Sequence, residues 1–308
     1  MEPADQIWLN GEFVAWEDAK VHVLTHCLHY GTGVFEGIRA YETERGTGIF
    51  RHQDHLDRLE NSAKLYYMDL PFSKEQMREV THELIVRSGF TSCYIRPLVW
   101  RGHGPMGLNP LDNPVEAMVA VWVWPPYLGE KGQRNGVRAR VSSYRRISSD
   151  SLVPLAKASG QYLNSVLAKI ESLKSGYEEA ILLDDKGYVC EGTGENVFVV
   201  KDGVIHTPHH AASILDGISR KSCVQIARDL GYEVVERDIA RAEIALADEV
   251  FLTGTAAELT PLREIDDIEI GPPGPITREI QRVFYDALHG RAPQYAEWLD
   301  LVPVPSKA

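Results

Sequence analysis

Asp184-Asp185-Lys186-Gly187-Tyr188-Val189-Cys190-Glu191-Gly192-Thr193-Gly194-Glu195-Asn196-Val197-Phe198-Val199-Val200-Lys201-Asp202-Gly203 carries a hairpin-turn composition at each end. Gly beside Asp or Lys supplies the positive φ of a tight turn, so the chain reverses before and after the apolar run. Gly192-Thr193-Gly194 falls between two strand-like stretches and lacks a third glycine. It therefore does not match the strand-to-helix G-x-G-x-x-G turn of a dinucleotide fold, and no P-loop occurs elsewhere. Hairpins clustered between helices are not a regular βαβ alternation. The class expected is α+β.

The flanking sequence fits that class. Ile7-Trp8-Leu9 and Phe13-Val14-Ala15-Trp16 bracket Asn10-Gly11 as a hairpin, and residues 34–41 read as a strand. Leu56, Leu59, Ala63 and Tyr66 mark one amphipathic helix. A second has Ser73 and Gln76 as a capping box, an apolar stripe of Met77, Val80, Leu84 and Ile85, and Gly89 as its stop. Strands follow over 93–100 and 117–124. Pro125-Pro126-Tyr127-Leu128-Gly129-Glu130-Lys131-Gly132 reads as a linker, because two prolines suit neither helix nor sheet interiors. The domains expected are 1–125, a linker over 126–135, and 136–308. In the second half, Tyr162, Val166, Ile170 and Leu173 fit a helix ending near Gly176, and Val224, Ala227 and Leu230 fit another.

The 308 residues hold 32 Lys plus Arg against 44 Asp plus Glu, a net charge of −12, and 44% are hydrophobic. That composition excludes wholesale disorder, and the acidic balance argues against a nucleic-acid partner. The longest apolar stretch, 117–124, is far below the ~20 residues of a membrane-spanning helix. No secretory signal is visible at Met1-Glu2-Pro3, and Cys27, Cys93, Cys190 and Cys223 form neither a C-x-x-C pair nor a metal-ligand spacing. A cytoplasmic protein with reduced thiols and no metal is expected.

Only 11 of the basic residues are lysines. Most fall in turns, polar helix faces or the tail (Lys307), and Lys169 and Lys174, on a helix with Glu171, read as solvated. Lys157 differs, since Leu155-Ala156-Lys157-Ala158-Ser159-Gly160 gives it apolar and small neighbours. Such a setting disfavours the ammonium and frees an amine for Schiff-base chemistry, although a snorkelling lysine fits as well. Leu215-Asp216-Gly217-Ile218-Ser219-Arg220 enters a helix and can present amides and a hydroxyl to phosphate. Alternatively, Ser219 or Asp216 merely caps that helix. Thr253-Gly254-Thr255-Ala256-Ala257 could bind an anion through turn amides, and Arg58 could neutralise a phosphate. Glu191, between small residues at a strand end, could hold a pyridine nitrogen protonated.

His29-Tyr30-Gly31-Thr32-Gly33-Val34-Phe35-Glu36-Gly37-Ile38-Arg39, Tyr94-Ile95-Arg96-Pro97, Ala156-Lys157-Ala158-Ser159-Gly160, Glu191-Gly192-Thr193-Gly194-Glu195-Asn196, Gly217-Ile218-Ser219-Arg220 and Gly254-Thr255-Ala256-Ala257-Glu258 occur in this order. Together they resemble the branched-chain amino acid aminotransferases of pyridoxal phosphate fold type IV. The resemblance implies a D-amino acid aminotransferase-like fold, with a small N-terminal α/β domain and a larger C-terminal pseudo-barrel domain. It implies pyridoxal 5′-phosphate on Lys157 as an internal aldimine, Glu191 at the pyridinium nitrogen and Tyr162 at the phenolic oxygen. It places Arg58, Leu215, Gly217, Ile218, Ser219 and Thr255 around the cofactor.

For the substrate it implies carboxylate binding by Thr255, Ala256 and Tyr94, supported by Arg39. The side-chain pocket would be formed by Phe35, Gly37, Trp124, Tyr127 and Tyr162, with Tyr30 and Leu108 from a neighbouring subunit of a homo-oligomer built from dimers. Arg96 with Tyr30 and Tyr127 would receive the γ-carboxylate of glutamate, which cannot be buried unpaired. The activity implied is ping-pong transamination of L-leucine, L-isoleucine and L-valine with 2-oxoglutarate. The same-fold alternatives are a D-amino acid or (R)-amine aminotransferase and an aminodeoxychorismate lyase-like enzyme; a non-catalytic scaffold is the alternative of another class. Ser219 stands where threonine is frequent, and Gln161 where asparagine is common.

Overall fold

The computed structural model describes residues 1–302, so Lys307 lies outside the described residues. The chain separates into two compact units at Pro125/Pro126. The first contains residues 1–125, Ala156–Gly160 and, of the described residues, 286–302; the second contains Pro126–Leu155 and Gln161–Tyr285. This differs from a division at one linker. Ala158 bridges Val34, and Gly160 N–H donates to Gly31 O, which returns the lysine segment to the first unit. Residues 129–135, expected as linker, form a helix in the second unit.

The first unit is built on a nine-stranded sheet. Its strands are β1 (Glu2–Pro3), β2 (Gln6–Leu9), β3 (Glu12–Ala15), β4 (Gly33–Phe35), β5 (Ile38–Thr43), β6 (Gly46–Phe50), β7 (Cys93–Arg101), β8 (Val115–Val123) and β18 (Leu299–Leu301). The order β18-β6-β5-β7-β8-β2-β3 puts β7 at the centre, with β4 and β1 pairing β7 and β8. The expected strand over 34–41 is broken at Glu36-Gly37, between β4 and β5. Helix α1 (His26–Tyr30) precedes β4, and α2 (His52–Leu65) and α3 (Lys74–Ser88) follow β6. The α3 capping box is present: Ser73 Oγ accepts from Gln76 N, and Gln76 Oε1 accepts from Ser73 N. Helix α2 buries Leu56, Leu59 and Ala63, and α3 buries Met77, Leu84 and Ile85, as their spacing demands.

The second unit contains β9 (Val137–Arg145), β10 (Glu179–Leu183), β11 (Val189–Gly192), β12 (Asn196–Lys201), β13 (Val204–Thr207), β14 (Val234–Glu236), β15 (Glu249–Gly254), β16 (Glu258–Ile265) and β17 (Ile268–Glu269). Strand β11 pairs with both β10 and β12, so β11-β10-β9-β16-β15-β12 closes into a six-stranded ring. The closing pair is Glu191 opposite Asn196. All six strands contribute to one buried cluster, among them Val137, Ala139 and Val141 of β9, Ile181, Val189, Val197, Leu252 and Leu262. The α+β class and the pseudo-barrel follow from that closure.

Helices α4 (Gly129–Asn135), α5 (Tyr162–Lys174), α6 (Ile218–Asp229) and α7 (Arg241–Ala245) belong to the second unit, and α8 (Pro275–Leu288) begins in it. Helix α5 inverts the usual pattern. Ser165, Ala168 and Ser172 are buried, whereas Leu163, Val166, Leu167, Ile170 and Leu173 are exposed. Small residues let α5 approach β10 closely, and Ala168 packs on Ala180 and Leu182.

Candidate active site

In the first unit, the break between β4 and β5 and one face of α2 build a charged and aromatic group around Lys157. The Lys157 N–H donates to Ser62 Oγ at 3.0 Å, and Phe35 N–H donates to Lys157 O at 3.0 Å. With its peptide held from both sides, the half-buried Lys157 sends Nζ to within 5.2 Å of the Phe35 ring centroid.

Glu36 has no solvent exposure, and donors surround its carboxylate. Arg58 donates from Nε to Oε1 at 2.7 Å and from Nη2 to Oε2 at 2.8 Å, and His55 Nδ1 lies 2.7 Å from Oε2. Gly37 N–H adds a longer contact to Oε2 at 3.3 Å. Burial opposes the charge on Glu36, but Arg58 and His55 outweigh it and hold its carboxyl well below the usual range. Burial pushes His55 down to about 4, so a neutral imidazole donates to Glu36. Arg58 is thus fixed on a carboxylate by a bidentate contact.

Gly37 and Tyr94 determine the next wall. A Cβ at Gly37 would lie 2.0 Å from Tyr94 Oη, so only glycine lets that hydroxyl reach its place. Arg96 Nη2 donates to Tyr94 Oη at 3.0 Å, and its guanidinium sits 4.7 Å from the Phe35 centroid and 5.3 Å from that of Tyr94. Tyr94 packs edge-on to Trp124 at 4.8 Å. Arg39 lies opposite Tyr94 in the β5–β7 register and donates to Pro125 O at 3.2 Å. Phe35, Gly37, Arg39, Tyr94, Arg96, Trp124, Arg58 and Lys157 therefore belong to one connected group.

In the second unit, Glu191 is buried at the barrel closure. Arg146 Nε pairs with its Oε1 at 2.8 Å, while Leu215 N–H and Asn196 Nδ2 donate to Oε2 at 2.9 and 3.3 Å. Asn196 Nδ2 also donates to Leu215 O at 3.0 Å. A Cβ on Gly217 would meet Asn196 Oδ1 at 1.9 Å, so glycine is required where the chain enters α6. Gly217 is the N-cap, and no side chain caps the helix. The capping alternative for Ser219 and Asp216 is therefore set aside. Asp216 instead pairs with Lys221 at 2.5 Å and His210 at 3.1 Å, and Ile218 and Ser219 occupy the buried first turn.

Thr255 and Ala256 form the β15–β16 turn, where Ala256 O accepts from Tyr127 N at 3.2 Å. Among the described residues, Thr253 Oγ1, just before this turn, is buried without a hydrogen-bond partner, as is Arg96 Nε in the first unit. Such atoms, together with an uncapped helix start and a glycine cradle, suit anionic ligands that supply the missing acceptors. Tyr162 opens α5, and the buried Gln161 before it donates from Nε2 to Val153 O at 2.8 Å. That bond gives Gln161 a role that the sequence does not disclose.

Tyr30 and Leu108, in the first unit, are 43% and 87% exposed. His26 links them: its Nε2 lies 2.8 Å from Gly107 O, and its ring packs 4.6 Å from that of Tyr30. Five participants escape the sequence reading: Glu36, His55, Ser62, Arg146 and Asn196. The i, i+3 spacing of His55 and Arg58 puts both on one face of α2 and is a usable signal. Arg146 has none, because its partner is distant in sequence.

The first unit carries a lysine amine beside an aromatic pocket with an arginine, and the second a buried carboxylate paired with a guanidinium near a glycine-entered helix; each is a group that amino transfer with an anionic cofactor uses. The sequence model of the class IV amino-transferases matches residues 33–265, and this chain belongs to that family. It is 45% identical to the branched-chain-amino-acid aminotransferase of Pseudomonas aeruginosa over 96% of this chain and 97% of that one. Its fold matches the crystal structure of the Escherichia coli branched-chain amino acid aminotransferase with a TM-score of 0.95, at 45% identity over 97% of this chain and 100% of that one. It also matches the branched-chain amino acid aminotransferase of T.th. complexed with N-(5′-phosphopyridoxyl)-L-glutamate, at TM-score 0.94 and 47% identity over 98% and 100%.

Proposed function

We propose that this chain transfers the amino group of L-leucine, L-isoleucine or L-valine to 2-oxoglutarate, giving branched-chain 2-oxo acids and L-glutamate. The reaction is reversible and ping-pong, with pyridoxal 5′-phosphate as cofactor. The observation that carries this reading is the Arg96 guanidinium laid on Phe35 and Tyr94 beside Lys157. Apolar walls accept a branched side chain at ~0.8 kcal/mol per buried methylene. The guanidinium accepts the second carboxylate of glutamate, so one pocket serves both halves of the reaction.

When bound, pyridoxal phosphate supplies an electron sink for the substrate Cα. Lys157 Nζ would anchor it, and the same amine would carry the proton from Cα. Glu191 would hold a proton on the pyridine nitrogen, and Arg146 keeps the Glu191 carboxyl in place with Nε 2.8 Å from Oε1. Tyr162 donates to the phenolic oxygen. Arg58, Leu215, Gly217, Ile218, Ser219 and Thr255 hold the phosphate end, and Tyr94, Arg39, Thr255 and Ala256 hold the substrate carboxylate. Trp124, Tyr127, Phe35 and Gly37 shape the side-chain pocket.

An amino-donor panel with 2-oxoglutarate tests the reading. L-leucine, L-isoleucine and L-valine should each yield glutamate, with D-leucine inert. Faster turnover of D-leucine or of an (R)-amine, or pyruvate release from aminodeoxychorismate, would move the chain to one of its same-fold relatives. No response to any donor by the cofactor-loaded protein would favour a scaffold.

The working form is a homo-oligomer built from dimers, in which Tyr30 and Leu108 enter a neighbouring subunit's pocket. Their shared exposed patch supports this, as does the apolar face of α5, since contiguous exposed apolar surface marks interaction sites. Light scattering should give a multiple of 34.5 kDa; a monomer with full activity would contradict the borrowed residues. The compartment proposed is the cytoplasm, supported by four free cysteines. Neither nucleic acid nor a membrane is a proposed partner, and no helix among the described residues is long and apolar enough to cross one.

A further inference from the structure

Lys169 reads as a solvated lysine from sequence, yet its side chain is only 18% exposed. Its Nζ lies 2.7 Å from Glu179 Oε2 and donates to Glu178 O at 2.6 Å. Glu179 is wholly buried. Its Oε1 accepts from Thr193 Oγ1 at 2.6 Å and from Ala180 N at 2.7 Å. Thr193 belongs to the Gly192-Thr193-Gly194 loop that follows Glu191, and Ala180 to β10. The carboxylate therefore has a fixed place on the barrel, and it fixes the ammonium in turn. Burial works against the charge of Lys169, but Glu179 outweighs it and keeps the ammonium protonated.

That ammonium sits 4.8 Å from the centroid of the Tyr127 ring. The Tyr127 main chain is tied as well, through its N–H to Ala256 O at 3.2 Å. Tyr127 is thus held at its backbone by the β15–β16 turn and at its ring by a cation. Burial pushes the Tyr127 hydroxyl above its ordinary value and Lys169 only partly opposes that, so the phenol keeps its proton and can donate it to an anion.

We infer that Lys169, Glu179 and Thr193 are positioning residues that hold the Tyr127 phenol for the second carboxylate of the acidic substrate, so that they set specificity for 2-oxoglutarate and glutamate over the apolar substrates. The inference rests on the proposed place of Tyr127 in the substrate pocket. It adds a chain of contacts, Thr193 to Glu179 to Lys169 to Tyr127, that lies entirely within the second unit. Leucine asks nothing of a positioned phenol donor, so the loss on breaking this chain should be one-sided.

The test uses the cofactor-loaded oligomer and steady-state kinetics in both half-reactions. Lys169→Met should raise KM for 2-oxoglutarate and glutamate about tenfold while leaving leucine within about threefold, the scale of one charge-assisted hydrogen bond. Lys169→Arg should restore most of the loss. Because Lys169→Met leaves Glu179 unpaired, the Lys169→Met/Glu179→Gln double variant, which removes both charges, is measured with it and should show the same one-sided change. Tyr127→Phe should be selective in the same direction, and adding Lys169→Met to it should cost little more. Equal losses for leucine and 2-oxoglutarate in both lysine variants would overturn the inference. If Tyr127→Phe is selective but the lysine variants are silent, positioning fails and the pocket reading survives. If Tyr127→Phe is itself silent, the pocket reading fails and the inference falls with it.

Discussion

Arg58 lies flat against Glu36, with Nε and Nη2 each bonded to a different carboxylate oxygen at 2.7 and 2.8 Å. The carboxylate is fully buried, and the second residue on it is a neutral histidine. Arg58, proposed to hold the cofactor phosphate, is thereby fixed in place at the break that also sets Phe35 and Gly37. Glu36→Gln removes the anion from beneath a partly buried guanidinium, a change that costs about 3–5 kcal/mol in comparable pairs. Thermal unfolding should fall accordingly, and equilibrium dialysis should show weaker retention of pyridoxal phosphate. An unchanged cofactor affinity would remove the phosphate-holding role.

The same group gives a sign to acid stability. His55 is held at about 4, below its ordinary 6.5, and Glu36 is held below its ordinary 4.5. Depressed groups contribute stability that is complete above their ordinary values and is lost as pH falls through the folded ones. The His55 share is present above 6.5 and fades toward 4, and the Glu36 share is lost at lower pH still. His55→Gln should flatten denaturant midpoints between those two pH values relative to the parent.

Glu195 has the opposite sign. Burial and the neighbouring Glu179 push its carboxyl up to about 8 from an ordinary 4.5. A raised group contributes stability that is complete below its ordinary value and disappears as pH rises through the folded one. Glu195→Gln should therefore gain in melting temperature over the parent above about pH 8 and gain least near about pH 5. A uniform shift at every pH would contradict the protonated state.

Gly37→Ala places a methyl 2.0 Å from Tyr94 Oη and must displace it. The Tyr94 hydroxyl bonds Arg96, so both substrates should suffer, with kcat/KM falling about tenfold or more for each, as small misplacements in a site do. Arg96→Ala should instead separate them. Removing the guanidinium costs the dicarboxylates about 2–5 kcal/mol, the scale of a lost partner in a buried charge pair, and costs leucine much less. Equal losses would contradict dual recognition.

Much of the fold is legible in local patterns. The α3 capping box, the Asn10-Gly11 hairpin and the strands flanking Gly192 follow from turn chemistry and periodicity, which act over a few residues. Closure of the barrel does not, because the pairing of β9 with β10 and β16 joins segments far apart in the chain. The same distance hides the return of Ala156–Gly160 to the first unit, which depends on Val34 and Gly31.

Within the site, residues embedded in compact motifs are readable, such as Lys157 among small neighbours and Gly217 before a helix. Their partners are less so. Glu36 sits between Phe35 and Gly37 without an evident duty until α2 brings His55 and Arg58 to it. Lys169 resembles any helical lysine until Glu179 is folded beneath it. The exposed stripe of α5 shows the converse error, since apolar spacing reports that a face is sticky and not what covers it.

The proposed role of Lys157 in amino transfer from L-leucine to 2-oxoglutarate is tested by turnover of the Lys157→Ala protein reconstituted with pyridoxal phosphate. Folding is checked by circular dichroism, and glutamate formation is followed beside the parent. The variant should be folded, bind the cofactor reversibly and form no glutamate above background. Normal leucine turnover by that variant would contradict the proposed role.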